Sequence, residues 1–464
     1  MESNQTTVNR IGQDFTFTGM IRFVLPTMIT QFFLAVFKTV DDGLFVTNYV
    51  GTNALSAINI IFPLGMLMGG LAMIFASGGS TVCARKMGEG RQEEAQRSFT
   101  SIILMAMLSG ALIGGLSLCF QKPLLRLLGA TDLLMDDCIT YSTLLWIWQP
   151  ITILCPVFDF FYSAAGKPGM SIVSAVVNGM VNIICDYIFI VRLQLGVQGA
   201  ALATIIGDTC FSAIGWVFYA DKKHEIHFAK LWPHYGKLFR EVFSVGMAQF
   251  FNHVAMSATS LIQNIVMLRL AGEDGLAAFS IVGYLQYLLG SSMGGFADGG
   301  SAIFSYNYGA RDKARIKRYF QYACKFLVGI SVAVTALCIL LARPLISIYV
   351  QEAEDPAIFA MVLRGMHISP LCNLFSGFGM FSARFFASMN NGRAAAVISF
   401  MRNGIFSIVT LIALPILLEI DGVWLAAPAG ELLAFFFILG IYWLNRDNYG
   451  YSKSGRALLI DTLD

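Results

Sequence analysis

The chain has 464 residues, of which 56% are hydrophobic and 13% charged, and its mean hydropathy is +0.67. Soluble domains carry about 25% charged residues, so this composition excludes a soluble enzyme. The 31 Lys and Arg residues are balanced by 29 Asp and Glu, which leaves no basic excess for binding nucleic acid. The apolar residues form long runs and do not alternate as they do in an outer-membrane barrel. We therefore predict an all-α polytopic membrane protein.

Twelve apolar runs follow one another, and a membrane helix needs about 20 such residues. They lie at 19–48, 54–82, 98–120, 139–165, 168–191, 197–220, 243–270, 275–307, 320–342, 360–388, 394–418 and 423–444. The charged segment 124–138 is predicted to lie at the membrane interface. The expected units are a cytoplasmic lead-in (1–16), an N-terminal six-helix lobe (17–220), a connector (221–242), a C-terminal six-helix lobe (243–445) and a tail (446–464).

The loops between these runs differ in positive charge. If the N-terminus is cytoplasmic, nineteen Lys and Arg fall in inward loops and the tail, and five in outward loops. Because cytoplasmic loops are enriched in Lys and Arg, we predict a multi-pass protein of the cell (inner) membrane with both termini cytoplasmic. The nine Cys are scattered singly, with no Cys pair or Cys/His cluster of the kind that holds zinc.

The two halves of the chain repeat each other. Residues 76–99 align without gaps to 297–320, and 51–60 match 272–281 at the same offset. Because six spans is an even number, both halves have the same orientation and form parallel repeats. Two like bundles facing each other across a cleft are the geometry of alternating access. The repeat therefore favours a transporter over a duplication without a transport role.

Polar side chains inside the predicted N-terminal spans share helix faces. Residues four apart lie on one face of a helix, and a charge in hydrocarbon calls for a partner or a function. At a rise of about 1.5 Å per residue, these groups form two layers at matching depths on three spans. The outer layer holds Asp42, Asp186 and Thr204. The inner layer holds Lys38, Asn182 and Asp208, while Asn178 lies a further turn inward and Asp41 points to the side of its helix.

These groups predict an ion-coupling site. Two carboxylates sharing a desolvated pocket can hold a proton near neutral pH. With amide and hydroxyl oxygens they are also ligands of the kind that suit Na⁺. We therefore expect the coupling ion, H⁺ or Na⁺, at Asp42, Asn182, Asp186 and Thr204. Accessory residues are Lys38, Asp41, Asn178 and Asp208. The alternative is a salt bridge of Lys38 with Asp41, Asp42 or Asp208 that only holds helices together.

The C-terminal half contains a second polar cluster. From the rise of the helix per residue, the estimated depth is about 13–15 Å from the cytoplasmic face for His253, Asp298 and Arg402. We expect Asp298 to pair with Arg402 or His253 inside this lobe. Whether the cluster acts in transport or only in structure is left open.

Five segments occur in an order that resembles the multidrug and toxic compound extrusion (MATE) family. They are VDDGLFVTNYVG (40–51), NIICDYIFI (182–190) before LGVQGAALAT (195–204), GFADGGSAIFSYNYGA (295–310), MRNGIFSI (401–408) and DGVWLAAPAGE (421–431). The resemblance covers about 15–445 and implies an exporter with two six-helix lobes, driven by a proton or sodium gradient. It also implies that Asp42, Asn182, Asp186 and Thr204 occupy the N-lobe coupling positions of the family. One branch of the family carries a coupling Glu early in its seventh helix, where this chain has Asn252 and His253.

The sequence therefore predicts a secondary antiporter that exports organic, cationic or amphipathic small molecules in exchange for H⁺ or Na⁺. It is expected to work as a monomer in the lipid bilayer, with no nucleic-acid partner and no cofactor besides the ion. A related alternative is a lipid or oligosaccharide-lipid flippase, for which Lys38, Arg384 and Arg402 hint at a basic cavity. A membrane-embedded enzyme is the alternative of another class, but the sequence has no HExxH or other catalytic motif.

Overall fold

The structure is a computed structural model that describes residues 11–40, 52–128, 130, 132, 134–232, 235–347, 350, 352, 356–446 and 449. All regular structure in these residues is helical, which confirms the all-α class. Nine helical segments in the described ranges are long and apolar enough to cross a membrane. The segment Gly392–Leu444 is broken at Glu419 and supplies two of the predicted spans. A separate helix, Tyr235–Gly309, covers the predicted spans 243–270 and 275–307.

Nine α-helices lie in the described residues of the first half. They are α1 (Phe17–Val40), α2 (Thr52–Met73), α3 (Gly79–Gly88), α4 (Gln92–Cys119), α5 (Gln121–Leu127), α6 (Met135–Thr152), α7 (Leu154–Ala164), α8 (Gly169–Asp186) and α9 (Gly196–Ala220). A π-helical turn, Ile74–Gly78, joins α2 to α3, and another, Tyr187–Arg192, follows α8. Helix α5 ends at Leu127 and α6 begins at Met135, so the segment 124–138 is not one continuous span.

Where the structure describes the second half, it has seven α-helices. They are α10 (Tyr235–Gly309), α11 (Lys313–Leu340), α12 (Ala342–Ile346), α13 (Pro356–Ile368), α14 (Asn373–Ser388), α15 (Gly392–Phe400) and α16 (Ser407–Leu444). Helix α10 is interrupted at Gly272, where φ is 65°, and α16 at Glu419, where φ is 52°. The two parts of α16 run back along each other, since the Thr410 hydroxyl donates to the Ala426 carbonyl at 2.9 Å.

Several helices begin before their apolar runs do. Helices α4, α10 and α11 start at Gln92, Tyr235 and Lys313, where the hydropathy pattern places the spans at 98, 243 and 320. The extra turns are rich in charged residues. Hydropathy marks the part of a helix that hydrocarbon surrounds, whereas backbone hydrogen bonding continues into water, so the pattern underestimates helix length.

The described part of the predicted lead-in packs into the protein. Ile11 is fully buried and Phe15 nearly so. The backbone N–H of Phe15 donates to the Tyr319 hydroxyl at 2.9 Å, and Arg315 Nη1 donates to the Gly12 carbonyl at 2.7 Å. Residues 11–16 are thus attached to α11 of the second half.

The two halves meet through repeat-related positions. A Cβ atom on Gly88 would lie 2.0 Å from the Tyr306 carbonyl oxygen, and one on Gly309 would lie 2.1 Å from the Arg85 carbonyl oxygen. Gly88 and Gly309 align in the internal repeat. The end of α3 and the end of α10 therefore cross in reciprocal backbone contact, and only a residue without a side chain fits at either position.

Candidate functional site

Helices α8 and α9 bring the polar groups of the fifth and sixth spans together. A Cβ atom on Gly207 would lie 3.0 Å from Asn178 Oδ1 and 3.4 Å from the Cβ of Asn182. The absence of a side chain at Gly207 lets α9 lie directly against the polar face of α8. Asn178 and Asn182, two of the three residues of the predicted polar face, therefore lie against the sixth span.

The acid of the fifth span is deeply buried. Asp186 has no exposed surface and Asn182 is 9% exposed. Asp186 is the last residue of α8, directly before the π-helical turn Tyr187–Arg192. π-helical turns are rare overall, and those that occur are often found at functional sites. The predicted coupling acid is thus inside the bundle, at a local change of helix geometry.

The sixth span contributes Thr204 and Asp208. The Thr204 hydroxyl donates to the Ala200 carbonyl at 3.1 Å, so its oxygen remains able to accept or to coordinate a cation. Asp208 Oδ1 accepts from Asn178 Nδ2 at 3.2 Å. The predicted accessory residues Asn178 and Asp208 are therefore partners of each other.

The first-span part of the predicted site is only partly described. Asp41 and Asp42 lie outside the described residues, as does the side chain of Lys38. Helix α1 is described as far as Val40 and packs against α8, the helix that carries Asn182 and Asp186. The described part of the site therefore comes from α8 and α9, with α1 beside them.

The pairing expected for the second cluster is wrong. Asp298 forms its ion pair with Arg384, with Oδ1 and Nε 2.5 Å apart. Arg402 is paired with Glu431, whose carboxylate lies 2.7 Å from Nη2 and 2.8 Å from Nε. Depth along the helices was the only basis for joining Asp298 to Arg402. The fold instead brings Glu431 to Arg402, because α16 turns back at Glu419.

His253 occupies the boundary between the two halves. Its Nδ1 lies 3.0 Å from the Gln249 carbonyl oxygen one turn earlier in α10. A Cβ atom on Gly70 of α2 would be 3.1 Å from the Cβ of His253. The neighbouring Asn252 accepts a hydrogen bond from Asn403, the repeat counterpart of Asn178. This amide pair has no carboxylate, whereas Asn178 is bound to Asp208.

Sequence reasoning missed Arg384 as a contact between the halves. Arg384 Nη1 donates to Ser77 Oγ at 3.0 Å, and its guanidinium lies 5.2 Å from the ring centre of Phe160. Ser77 is the repeat counterpart of Asp298. One arginine thus binds both symmetry-related positions, an acid in its own half and a hydroxyl in the other.

Asp159 is the second missed residue. It is 8% exposed and accepts a hydrogen bond from Ser171. Residues 159–180 align without gaps to 384–405, which makes Asp159 the repeat counterpart of Arg384. Extending the repeat through the fourth and tenth spans would have identified both residues.

Comparison with known proteins accounts for the repeated architecture. Two blocks of the chain, residues 26–188 and 249–412, match the MatE family model, one in each half. The chain belongs to the MATE family. The match in each half agrees with the internal repeat and with two six-helix lobes.

Curated relatives of this MATE protein cover almost its whole length. The multidrug export protein MepA of Staphylococcus saprophyticus is 24% identical over 441 residues, covering 94% of this chain and 96% of the relative. MepA of Staphylococcus aureus is 23% identical over 431 residues, covering 92% and 94%. The resemblance seen in the sequence motifs is thus confirmed at the level of the family.

Solved MATE structures share the fold. A multidrug resistance MATE family transporter of the MOP superfamily, in an outward-facing conformation, superposes with a TM-score of 0.88. It is 22% identical and covers 96% of this chain and 100% of that one. A MOP superfamily transporter from Pyrococcus furiosus, described as having a binding pocket of reverse polarity, gives 0.85 at 20% identity, covering 96% and 100%. The predicted twelve-helix, two-lobed MATE fold is confirmed.

Proposed function

We propose that this MATE protein is an antiporter that exports organic, cationic or amphipathic compounds in exchange for H⁺ or Na⁺. It works as a monomer in the cell membrane with both termini cytoplasmic. The observation that carries the proposal is the complete burial of Asp186 beside Asn182 in the N-terminal lobe. The coupling ion binds there, with Asp42 and Thr204 completing the site.

Burial makes Asp186 responsive to an ion. A carboxylate inside a membrane bundle is costly when charged, and H⁺ or Na⁺ neutralises it. The alignment that pairs Asn178 with Asn403 places Leu411 at the position equivalent to Asp186. The coupling acid therefore belongs to one lobe only, and ion binding shifts the conformational equilibrium of that lobe. An ion that binds two conformations with different affinity shifts their populations, which is how a gradient drives a transport cycle.

The contacts between the two lobes are the ones that must break during a transport cycle. Arg384 joins Asp298 to Ser77 across the boundary, and Gly88 and Gly309 close the lobes at one end. By the distribution of Lys and Arg, this end faces the cytoplasm. Release of these contacts gives a cytoplasmic compound access to the cleft, and their return gives it access to the outside.

The nature of the substrate is inferred from relatives and from charge. The relatives from Staphylococcus are named multidrug export proteins. Two of the three basic groups that hinted at an anion-binding cavity are neutralised, Arg384 by Asp298 and Arg402 by Glu431. This pairing favours cationic substrates over the polyanionic headgroup that a flippase for oligosaccharide lipids would carry.

Transport by purified protein in vesicles tests the proposal. The wild type is expected to transport a fluorescent lipophilic cation when a pH gradient or a Na⁺ gradient is imposed. Addition of ATP should not change the transport rate. Asp186→Asn and Asp42→Asn are expected to lose gradient-driven transport, because an amide does not take up a proton and binds Na⁺ poorly.

The matched control is Asp221→Asn, at an exposed acid in the connector. It should transport like the wild type. Full gradient-driven export by both Asp186→Asn and Asp42→Asn would contradict the coupling assignment. Export that needs ATP and neither gradient would contradict the antiport mechanism itself.

A further inference from the structure

A cavity of about 800 Å³ lies between the start of α1, the turn before α8 and the N-terminal segment. The segment contributes Gln13 and Phe15, which are tied to α11. The turn contributes Lys167 and belongs to the N-terminal lobe, as α1 does. All residues that line the cavity thus belong to the first half of the chain, although the segment is attached to α11 of the second half. The cavity is separate from the polar residues of the transport site.

Two cations and no acid are found among the described residues that line this cavity. Arg22 is exposed on α1 and Lys167 is half-buried in the turn. Among the described residues, neither side chain forms an ion pair, unlike Arg315 and Arg318 nearby on α11. Helix α8 begins at Gly169 in the same wall, but the N–H groups of Met170 and Ser171 already donate to the carbonyls of Lys167 and Pro168, so the two side chains supply the positive charge. The polar part of the cavity is therefore complementary to a phosphate group.

The remaining wall is apolar and leads out along α8. Phe23, Met170 and Val173 line it, and Val173 is exposed. Met180 and Ile184 are also exposed and follow Val173 at intervals of seven and four residues, which places all three on one face of α8. A strip of hydrocarbon-compatible surface thus begins at the two cations. A free phosphate ion would use only the charged end, whereas a phospholipid would use both.

We propose that this cavity binds an anionic glycerophospholipid, with its phosphate at Arg22 and Lys167 and an acyl chain along Val173, Met180 and Ile184. Both cations lie at the ends of spans, where a phosphate layer meets hydrocarbon, and clusters of Lys and Arg at this level bind lipid headgroups. The lipid contacts α1 and α8 together, so it stabilises their packing. This inference does not depend on the proposed transport function.

Lipid retention by the full chain tests this proposal. Protein purified in mild detergent is supplied with phosphatidylglycerol, phosphatidylcholine or inorganic phosphate, and followed by native mass spectrometry and by thermal unfolding. The wild type should retain phosphatidylglycerol and melt at a higher temperature with it than with phosphatidylcholine. Arg22→Gln combined with Lys167→Gln should weaken phosphatidylglycerol binding by about tenfold or more, which corresponds to about 1.4 kcal/mol.

Two further variants distinguish the effect of the two cations from the effect of the free volume of the cavity. Lys237→Gln with Arg240→Gln removes two exposed cations from the start of α10, outside the cavity, and should leave lipid binding unchanged. Gly169→Leu keeps both cations but adds an apolar side chain at the cavity wall, where a Cβ meets no atom within 4 Å, and it should also weaken binding by occupying part of the space between the cations. The Gly169→Leu result stands even if the charge variant fails to fold.

Three results would overturn the proposal. Equal retention of phosphatidylglycerol by the wild type and Gly169→Leu would show that the lipid binds elsewhere. Equal stabilisation by phosphatidylcholine would show that the cations do not select the headgroup. Equal stabilisation by inorganic phosphate, with no preference for the lipid, would show that the cavity is a site for a free anion.

Discussion

Arg384 and Arg402, the two buried arginines in the described part of the C-terminal lobe, are each paired with an acid. Arg402 and Glu431 retain only 7% and 15% of their side-chain exposure, and Arg384 and Asp298 retain 9% and 12%. Pairing cancels most of the electrostatic cost of burial, although a buried pair adds little net stability compared with apolar residues. The main effect of these pairs is therefore to determine which helices lie next to each other. Their net contribution to the free energy of unfolding is small.

Removing one member of such a pair should be costly. Glu431→Gln leaves the Arg402 guanidinium buried without its counter-charge. We expect a loss of about 3–5 kcal/mol in the free energy of unfolding, since an uncompensated buried charge has this cost. Denaturation of the purified protein in detergent measures it.

The matched control for Glu431→Gln is Glu352→Gln. Glu352 pairs with Arg343, but both side chains are more than half exposed. An exposed ion pair contributes about 0–1 kcal/mol, so this variant should unfold like the wild type. Equal losses for the two variants would show that burial does not decide the strength of these pairs.

At the level of elements, the contact between α8 and α9 depends on one small residue. Gly207 lets α9 approach closely enough for Asn178 to reach Asp208 at 3.2 Å. The same approach places Asn182 beside α9. The polar face of α8 is thus held against the sixth span by close packing as well as by a hydrogen bond.

A larger side chain at this point should separate the two helices. Gly207→Leu adds a branched chain where a single Cβ already lies 3.0 Å from Asn178 Oδ1. We expect a loss of about 1–3 kcal/mol in stability from overpacking, together with a large loss of gradient-driven transport. Gly115→Leu on α4 is the control, because a Cβ there meets no atom within 4 Å. Normal transport by Gly207→Leu would mean that the spacing of α8 and α9 is not needed for coupling.

At the level of the whole molecule, the sequence predicts what is periodic or repeated. Apolar runs gave the order and approximate bounds of the spans, because hydrocarbon leaves few alternatives to a helix. The four-residue spacing of Asn178, Asn182 and Asp186 predicts a shared face, and Asn178 and Asn182 of this face lie against Gly207 of α9. Such spacing reports neighbours within one helix, and it says little about which helices adjoin.

The partners of the buried charged residues could not be predicted from the sequence. Asp298 and Arg402 have similar depths, yet they belong to different ion pairs, because lateral position depends on the packing of all the helices. Arg384 illustrates the same point, since its contact with Ser77 crosses the lobe boundary. The π-helical turn after Asp186 was not predicted either, as its residues are ordinary helix or strand formers.

The reciprocal contact of Gly88 and Gly309 leads to a prediction for the whole molecule. A Cβ at either position would come within about 2 Å of a carbonyl oxygen in the other lobe, so Gly88→Ala or Gly309→Ala must push the lobes apart at this end. A strain of one to two kcal/mol changes the ratio of two conformations about 5- to 30-fold. We therefore expect either variant to populate the conformation in which this end is open.

Spin labels at Glu93 and Ala314 measure this change. Both residues are exposed in the first turn of α4 and α11 and are counterparts in the repeat, so their separation reports the distance between the lobes. In a background without the nine cysteines, pulsed electron paramagnetic resonance should give longer distances for either glycine variant than for the wild type. Gly115→Ala, where the new Cβ meets no atom within 4 Å, should leave the distances unchanged. Unchanged distances in Gly88→Ala and Gly309→Ala would mean that the helices absorb the methyl group locally, and that this crossing does not control how the lobes close.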